Sequence, residues 1–300
     1  GGLRHALAIA ARKLKRSQKQ AALLQVSNQP DAAALTEYEV LEVVPYYLDP
    51  YLLDVPQTAA KKVAVNLHLS REQMSADWLG YLANIAVEFD LYVSRVGSET
   101  FDEKSLRAAV PLLRQLVVDV VPAHAEAIAS LIVQFGDRLK EYDFVAHLHD
   151  EAGSDDVSGV KERLELLCGS PANVGQILQL LDADAKVVYP ADNRAEDAVY
   201  HQTGWRDADN VIASVLEKCK GVDSSDFPGP QFPRVGLFWA RAATISDLLK
   251  LPLQYESFAN AGNGVAPDML SRFLQRLLLV SATTSRGRNY QLEAPQISRE

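Results

Sequence analysis

The chain has 300 residues, 48% of them hydrophobic, and a formal net charge of −9. That length suits one large domain or two modest ones with a sizeable core. No apolar run reaches the roughly 18 residues needed to cross a bilayer. The negative charge argues against a nucleic-acid partner, which would demand a basic surface.

Cys168 and Cys219 form no CxxC pair. They are expected to be reduced thiols of a cytoplasmic protein, not a disulfide framework or a thiolate zinc site. The start, Gly1-Gly2-Leu3, lacks an initiator Met and a signal-peptide pattern, and reads as a cloning scar or the edge of an excised fragment.

Residues 3–25 space Leu3, Leu7, Ala10, Ala11, Leu14 and Ala21 at helical intervals among six basic residues and no acid. This predicts an N-terminal helical extension. It either packs on a domain or makes a weak contact with an anionic membrane surface, since its apolar face has no Trp or Phe. Residues 27–60, with Pro30, Pro45, Pro50, Pro56 and four tyrosines, read as a surface connector.

From residue 61 the pattern alternates. Strands are expected at Val63 to Leu69, Phe89 to Val93, Val117 to Val121 and Asp143 to Leu148. Helices are expected at about 71–86, 101–116 and 124–140. That order predicts an α/β fold: an open, mainly parallel sheet with helices on both faces. The second half is less regular. Helices are expected at 158–168, 172–182, 205–218, 244–249 and 267–280. Strands are expected at 186–189 and 235–240, with a short edge strand at 289–292.

In such sheets ligands bind beyond the carboxyl ends of the strands. Those ends offer Asn66 and His68, then Ser94 and Arg95, then His124 and Glu126. The fourth offers His147, His149, Asp150 and Glu151. His147 and His149 are two apart and so share a strand face. Histidine with two carboxylates suits a divalent metal or a general base; a solvated acidic loop after a buried strand explains the same residues. Phe238-Trp239-Ala240-Arg241 reads either as core aromatics with a paired Arg or as an Arg facing a pyrophosphate or sugar. No P-loop, GxGxxG, GxSxG or HExxH occurs.

Several segments together resemble the rhamnan synthesis F family of bacterial polysaccharide glycosyltransferases. Residues 62–69, KVAVNLHL, look like its first strand. Phe89 to Ser94 is similar to its "fDlyvT", and Val120-Val121-Pro122 to the entry of its next motif. His147-Leu148-His149 is similar to the approach to "lHtKkS", and Leu167 to Ser170 to "Llgs". Phe232 to Arg241 is similar to "F.aGtmFWaR".

The resemblance spans about residues 61–280. It implies a GT-A-like fold, with a nucleotide-binding half at about 61–190 and an acceptor half at about 191–280. It implies sugar transfer from a nucleotide-sugar donor to a glycan or lipid-linked acceptor, in the cytoplasm or peripherally on the inner face of the bacterial membrane. Partner glycan-synthesis enzymes are implied too.

The chain departs from the family where phosphate would be neutralised. "NrGrD" is replaced by Ala123-His124-Ala125-Glu126-Ala127, and Asp150-Glu151-Ala152-Gly153 follows His149 without the motif's lysines. Two acids for two lysines shift local charge by about four units. Two expectations follow. Either Asp150 and Glu151 hold Mg²⁺ or Mn²⁺ under the diphosphate, or the domain is a catalytically inactive scaffold. In the first, Glu126 and His149 line the donor side, Ser94 binds substrate, His68 and Arg241 lie near the leaving diphosphate, and His149 and Asp268 are the catalytic residues, with Asp268 as base. A third alternative is an unrelated metalloenzyme using His147 and His149.

Overall fold

The computed structural model describes residues 43–49, 61–70, 74, 76–97, 101–150, 157–191, 236–259, 270, 271, 274, 275, 278 and 288–293. Its centre is an eight-stranded mixed sheet. In chain order the strands are β1 (Val43–Tyr47), β2 (Val63–Leu69), β3 (Phe89–Val96), β4 (Leu113–Val121), β5 (Phe144–His149), β6 (Ala185–Pro190), β7 (Phe238–Arg241) and β8 (Arg288–Glu293). Their spatial order is β1-β8-β6-β7-β5-β2-β3-β4. Every pairing is parallel except those of β7, which is antiparallel to both β5 and β6. The expected α/β fold with a mainly parallel sheet is present.

Burial explains why these segments are strands. β2 and β5 are buried along their whole length, so Val, Leu and Ala occupy both faces, as continuous apolar runs in a parallel sheet require. β4 is the edge and is correspondingly half exposed. Two cores lie on the two faces. One covers Val65, Leu67, Leu91, Val93 and Leu148 with α1 (Ala76–Ala83), α2 (Glu103–Ala109), α5 (Val157–Cys168) and α6 (Pro171–Ala183). The other covers Ala64, Tyr92, Val145, Val187 and Phe238 with residues 128–139, α7 (Ala242–Leu249) and the helical residues 270, 274 and 278.

Local signals set the ends. Asp102 caps α2 by accepting from Ser105 N at 3.0 Å. Ser170 caps α6 by accepting from Asn173 N at 3.1 Å, with Pro171 opening the helix.

Four elements differ from the sequence reading. Val43–Tyr47 lies inside the expected connector yet pairs with β8 as the outer strand, and Tyr46 meets Tyr290 edge-on at 5.9 Å. In consequence β8 is interior, not an edge. The helix expected to reach Leu116 stops at Ala109, because Pro111 cannot continue it, and β4 starts at Leu113. The helix expected over 124–140 is divided into α3 (Ala127–Ala129), a π turn (Ser130–Gln134) and α4 (Gly136–Leu139). The helices expected at 205–218 and within 3–25 lie outside the described residues.

Candidate functional site at the β2–β5 switch point

The strand order creates the site. After β2 the chain moves outward through β3 and β4; β5 then returns to the other side of β2. The crevice between β2 and β5 is therefore a topological switch point, the place where open α/β sheets bind ligands. The carboxyl-terminal residues there are His68 and His149, directly paired in register. His68 also pairs with Ser94 of β3. Ser94, His68 and His149 thus form one row across three strands, all buried.

Hydrogen bonds fix the row. His68 Nδ1 and Ser94 Oγ are 2.9 Å apart. Two residues back on each strand, His147 Nδ1 and Asn66 Oδ1 are 2.8 Å apart. Asn66 Nδ2 donates to Tyr92 O at 3.4 Å, which orients the amide and leaves Oδ1 as the acceptor for His147 Nδ1–H. The Nε2 of His147 then carries a lone pair. Burial, and then the neighbouring His149 and His68, press the His147 pKa well below its ordinary value. It is a neutral ring, stacked obliquely 5.7 Å from His149 and 5.4 Å from Phe238.

Asp150 follows at the mouth. Its backbone N donates to His68 O at 3.3 Å, and its Oδ1 accepts from Ser70 N at 2.6 Å. The carboxylate therefore latches the ends of β2 and β5 together. Glu126 immediately precedes α3, which packs against β2. Its backbone carbonyl accepts from Ala129 N and Ser130 N, and its side chain makes no capping bond. His124 is exposed in the turn before it.

Arg241 is placed elsewhere. Because β7 runs antiparallel, its last residue pairs with Phe144, the first residue of β5. The six residues of β5 separate it from His149, roughly 16 Å of strand. Its Nε donates to Leu181 O at 2.6 Å. Arg241, expected from the sequence to lie near a leaving diphosphate with His68, therefore stands at the opposite end of β5 from His149. Glu151 and Asp268 lie outside the described residues.

Sequence reading also passed over residues that the fold brings to this end. The β5–β7 register, carried two residues past His147–Phe238, sets Gly236 opposite His149. Gly236 has φ +73°, and a Cβ there would stand 3.0 Å from Gln275 Nε2 and 3.4 Å from His149 Nε2. The available signal was a glycine just before an aromatic run, and a Gln inside the apolar helix pattern of Leu270, Leu274 and Leu278.

The rhamnan synthesis protein F family model matches residues 19–286. The chain belongs to this family. The rhamnan synthesis match embraces the strand ends at His68, Ser94 and His149 and the Gly236–Arg241 segment alike. No curated protein matches the chain. Among solved structures it is similar to the mannosyltransferase PcManGT from Pyrobaculum calidifontis, whose complex holds GDP-Man and Mn²⁺. The identity is 16%, the match covers 93% of this chain and 81% of that one, and the TM-score is 0.27.

A metal needs several donors. Among the described residues no group of three or more His, Cys, Asp or Glu side chains is arranged to hold one. The His147/His149 metalloenzyme alternative thus lacks a third ligand in that set. Asp150 brings one carboxylate, already bonded to Ser70 N.

Proposed function

We propose that this chain is a GT-A-like glycosyltransferase domain. It would transfer a sugar from a nucleotide donor to a cell-surface polysaccharide, such as a rhamnose-containing glycan or O-antigen. The observation that carries the reading is the Ser94–His68–His149 row at the β2–β5 switch point of a rhamnan synthesis protein F family chain. The nucleotide would sit across the carboxyl ends of β2, β3 and β5.

Each residue has a task in this reading. Ser94 and His68 hydrogen-bond the donor, His149 faces the reacting end, and Glu126 borders the site from the helix return. Asp268 is proposed as the base for the acceptor hydroxyl, within reach of which a carboxylate raises nucleophilicity. Mg²⁺ or Mn²⁺, held by Asp150 and Glu151 together with diphosphate oxygens, would neutralise the leaving group. The work would take place in the cytoplasm or on the inner membrane face, where residues 3–25 give a weak surface contact. The acceptor would be glycan or lipid-linked, and partner enzymes of glycan synthesis would adjoin.

The test is calorimetric titration with UDP-, GDP- and dTDP-linked hexoses and deoxyhexoses, with and without Mn²⁺. At least one donor is expected to bind, with Mn²⁺ tightening it by about tenfold or more. Asp150→Ala is expected to remove most of that gain. No binding of any donor under either condition would turn the reading toward the inactive scaffold. The acidic Asp150-Glu151 pair in place of the family's lysines is the observation that favours this second reading.

A further inference from the structure

The face of the sheet that carries His147 and His149 also buries polar atoms left without hydrogen bonds. These are His147 Nε2, Tyr189 Oη, Ser271 Oγ and Gln275 Oε1. Tyr189 belongs to the same core face, and so do Leu270 and Leu274, the neighbours of Ser271 and Gln275 on their helical stretch. Ser271 and Gln275 are four residues apart and share one stripe of the helix. Gln275 reaches the sheet beside Gly236 and His149, as the 3.0 and 3.4 Å approaches to a Cβ built at Gly236 show. His149 in turn lies against His147. A run of polar side chains therefore leads from Gln275 over Gly236 and His149 to His147.

None of the four residues with unmet atoms carries a fixed positive charge. His147 is held neutral, and Gln, Ser and Tyr do not ionise at neutral pH. Two of the unmet atoms, His147 Nε2 and Gln275 Oε1, are acceptors; a phosphate oxygen placed there would add acceptor to acceptor. A hydroxyl donates and accepts at once, so a polyol satisfies His147 and Gln275 while taking hydrogen bonds from Tyr189 and Ser271. Buried polar groups left unmet are costly and are held where a ligand or water completes them.

We propose that Gln275, with Ser271 and His147, forms a sugar-hydroxyl subsite beside the helical residues 270, 271, 274, 275 and 278, separate from the diphosphate-facing end at Asp150. Gly236 lies between Gln275 and His149, since a Cβ there would stand 3.0 Å from Gln275 Nε2 and 3.4 Å from His149 Nε2 and would press on both. The proposal rests on the sugar-transfer reading and assigns the part of the donor that Gln275 would hold.

The experiment compares wild type, Gln275→Leu and Ser271→Ala as full chains. Calorimetry measures binding of UDP, GDP and dTDP, of the corresponding nucleotide sugars, and of methyl hexopyranosides and methyl deoxyhexopyranosides. Melting curves check folding. The expected result is nucleotide-sugar affinity about tenfold weaker in Gln275→Leu, with nucleoside diphosphate affinity within about twofold of wild type. Ser271→Ala should show the same selectivity with wild-type melting, which keeps the test valid if the Gln275 variant misfolds.

Equal affinity of the variants and wild type for every ligand would mean that only water meets these side chains, and would overturn the subsite. So would equal losses for diphosphates and nucleotide sugars. Methyl pyranoside binding that is lost in the variants, with no nucleotide binding at all, would uphold the subsite while the nucleotide-donor reading fails. Nucleotide binding to which the sugar adds nothing would sink the subsite alone.

Discussion

Single side chains divide into those that hold the sheet and those that face its open end. Asp90 belongs to the first group. It is buried near the start of β3 and accepts a two-pronged bond from Arg114, at 2.8 and 2.6 Å, and one from Tyr142 Oη at 2.5 Å. Tyr142 Oη lies 2.8 Å from Tyr92 Oη. Burial works to raise the Asp90 pKa, but the Arg114 and Tyr142 hydrogen bonds outweigh it and hold the carboxyl below its ordinary range. Asp90→Ala is expected to destabilise the fold by about 2–3 kcal/mol in a urea melt, since it strands Arg114 and Tyr142 together. Arg114→Ala should cost at least as much, because it leaves the buried Asp90 carboxylate without its cation, whereas the half-exposed guanidinium can be solvated by water.

His147 makes the opposite electrostatic demand. Its pKa is depressed in the folded state, so the unfolded chain binds a proton first as pH falls. Stability from this group is complete above about pH 6.5 and is lost below it, with a slope of up to about 1.4 kcal/mol per pH unit. Thermal melting from pH 7.5 to 5 should show this decline, and His147→Asn should flatten it. A slope unchanged by the substitution would remove His147 as the cause. Cys168 is inert by the same logic: burial pushes its thiol pKa up, and its Sγ donates to Leu164 O at 3.2 Å. Cys219 lies outside the described residues.

Among the elements, β7 and the broken helix after β4 decide most. β7 inserts between β5 and β6 in reverse, which sends Arg241 to the far end and brings Gly236 to His149. The divided helix has a packing reason. A Cβ on Gly136 would stand 2.4 Å from Leu249 O, so the turn from Phe135 into α4 meets the end of α7 backbone to backbone. Gly136→Ala is expected to cost about 1–3 kcal/mol, read as a lower midpoint in denaturant with an unchanged slope. The apolar period over 124–140 was legible as helix; the π turn at Ser130–Gln134 was not, because it depends on what α7 presents to it. The strand at Val43–Tyr47 was hidden for a similar reason. With a Pro at its centre it can lie only at an edge, and the edge is supplied by β8 from the other end of the chain.

On the scale of the molecule, the described residues include no helix long and apolar enough to cross a membrane. The switch point puts β2, β3 and β5 at one crevice, so ligand binding there should stabilise the sheet as one unit. A donor at about 100 times its Kd is expected to add about 2.7 kcal/mol, seen as a raised melting temperature that a Gly236→Leu variant loses. The sequence by itself determined the alternation of apolar strands and helices from residue 61, and hence the mainly parallel α/β sheet. It also determined which strand ends carry His68, Ser94, His149 and Asp150, because period and composition are local properties. Only the tertiary structure decided which ends meet. The direction of β7, the pairing of β1 with β8 and the approach of Gln275 to His149 rest on contacts between residues far apart in the chain. No local pattern encodes such contacts, so the end of the sheet at which Arg241 stands, and the approach of Gly236 and Gln275 to His149, were not legible in the sequence.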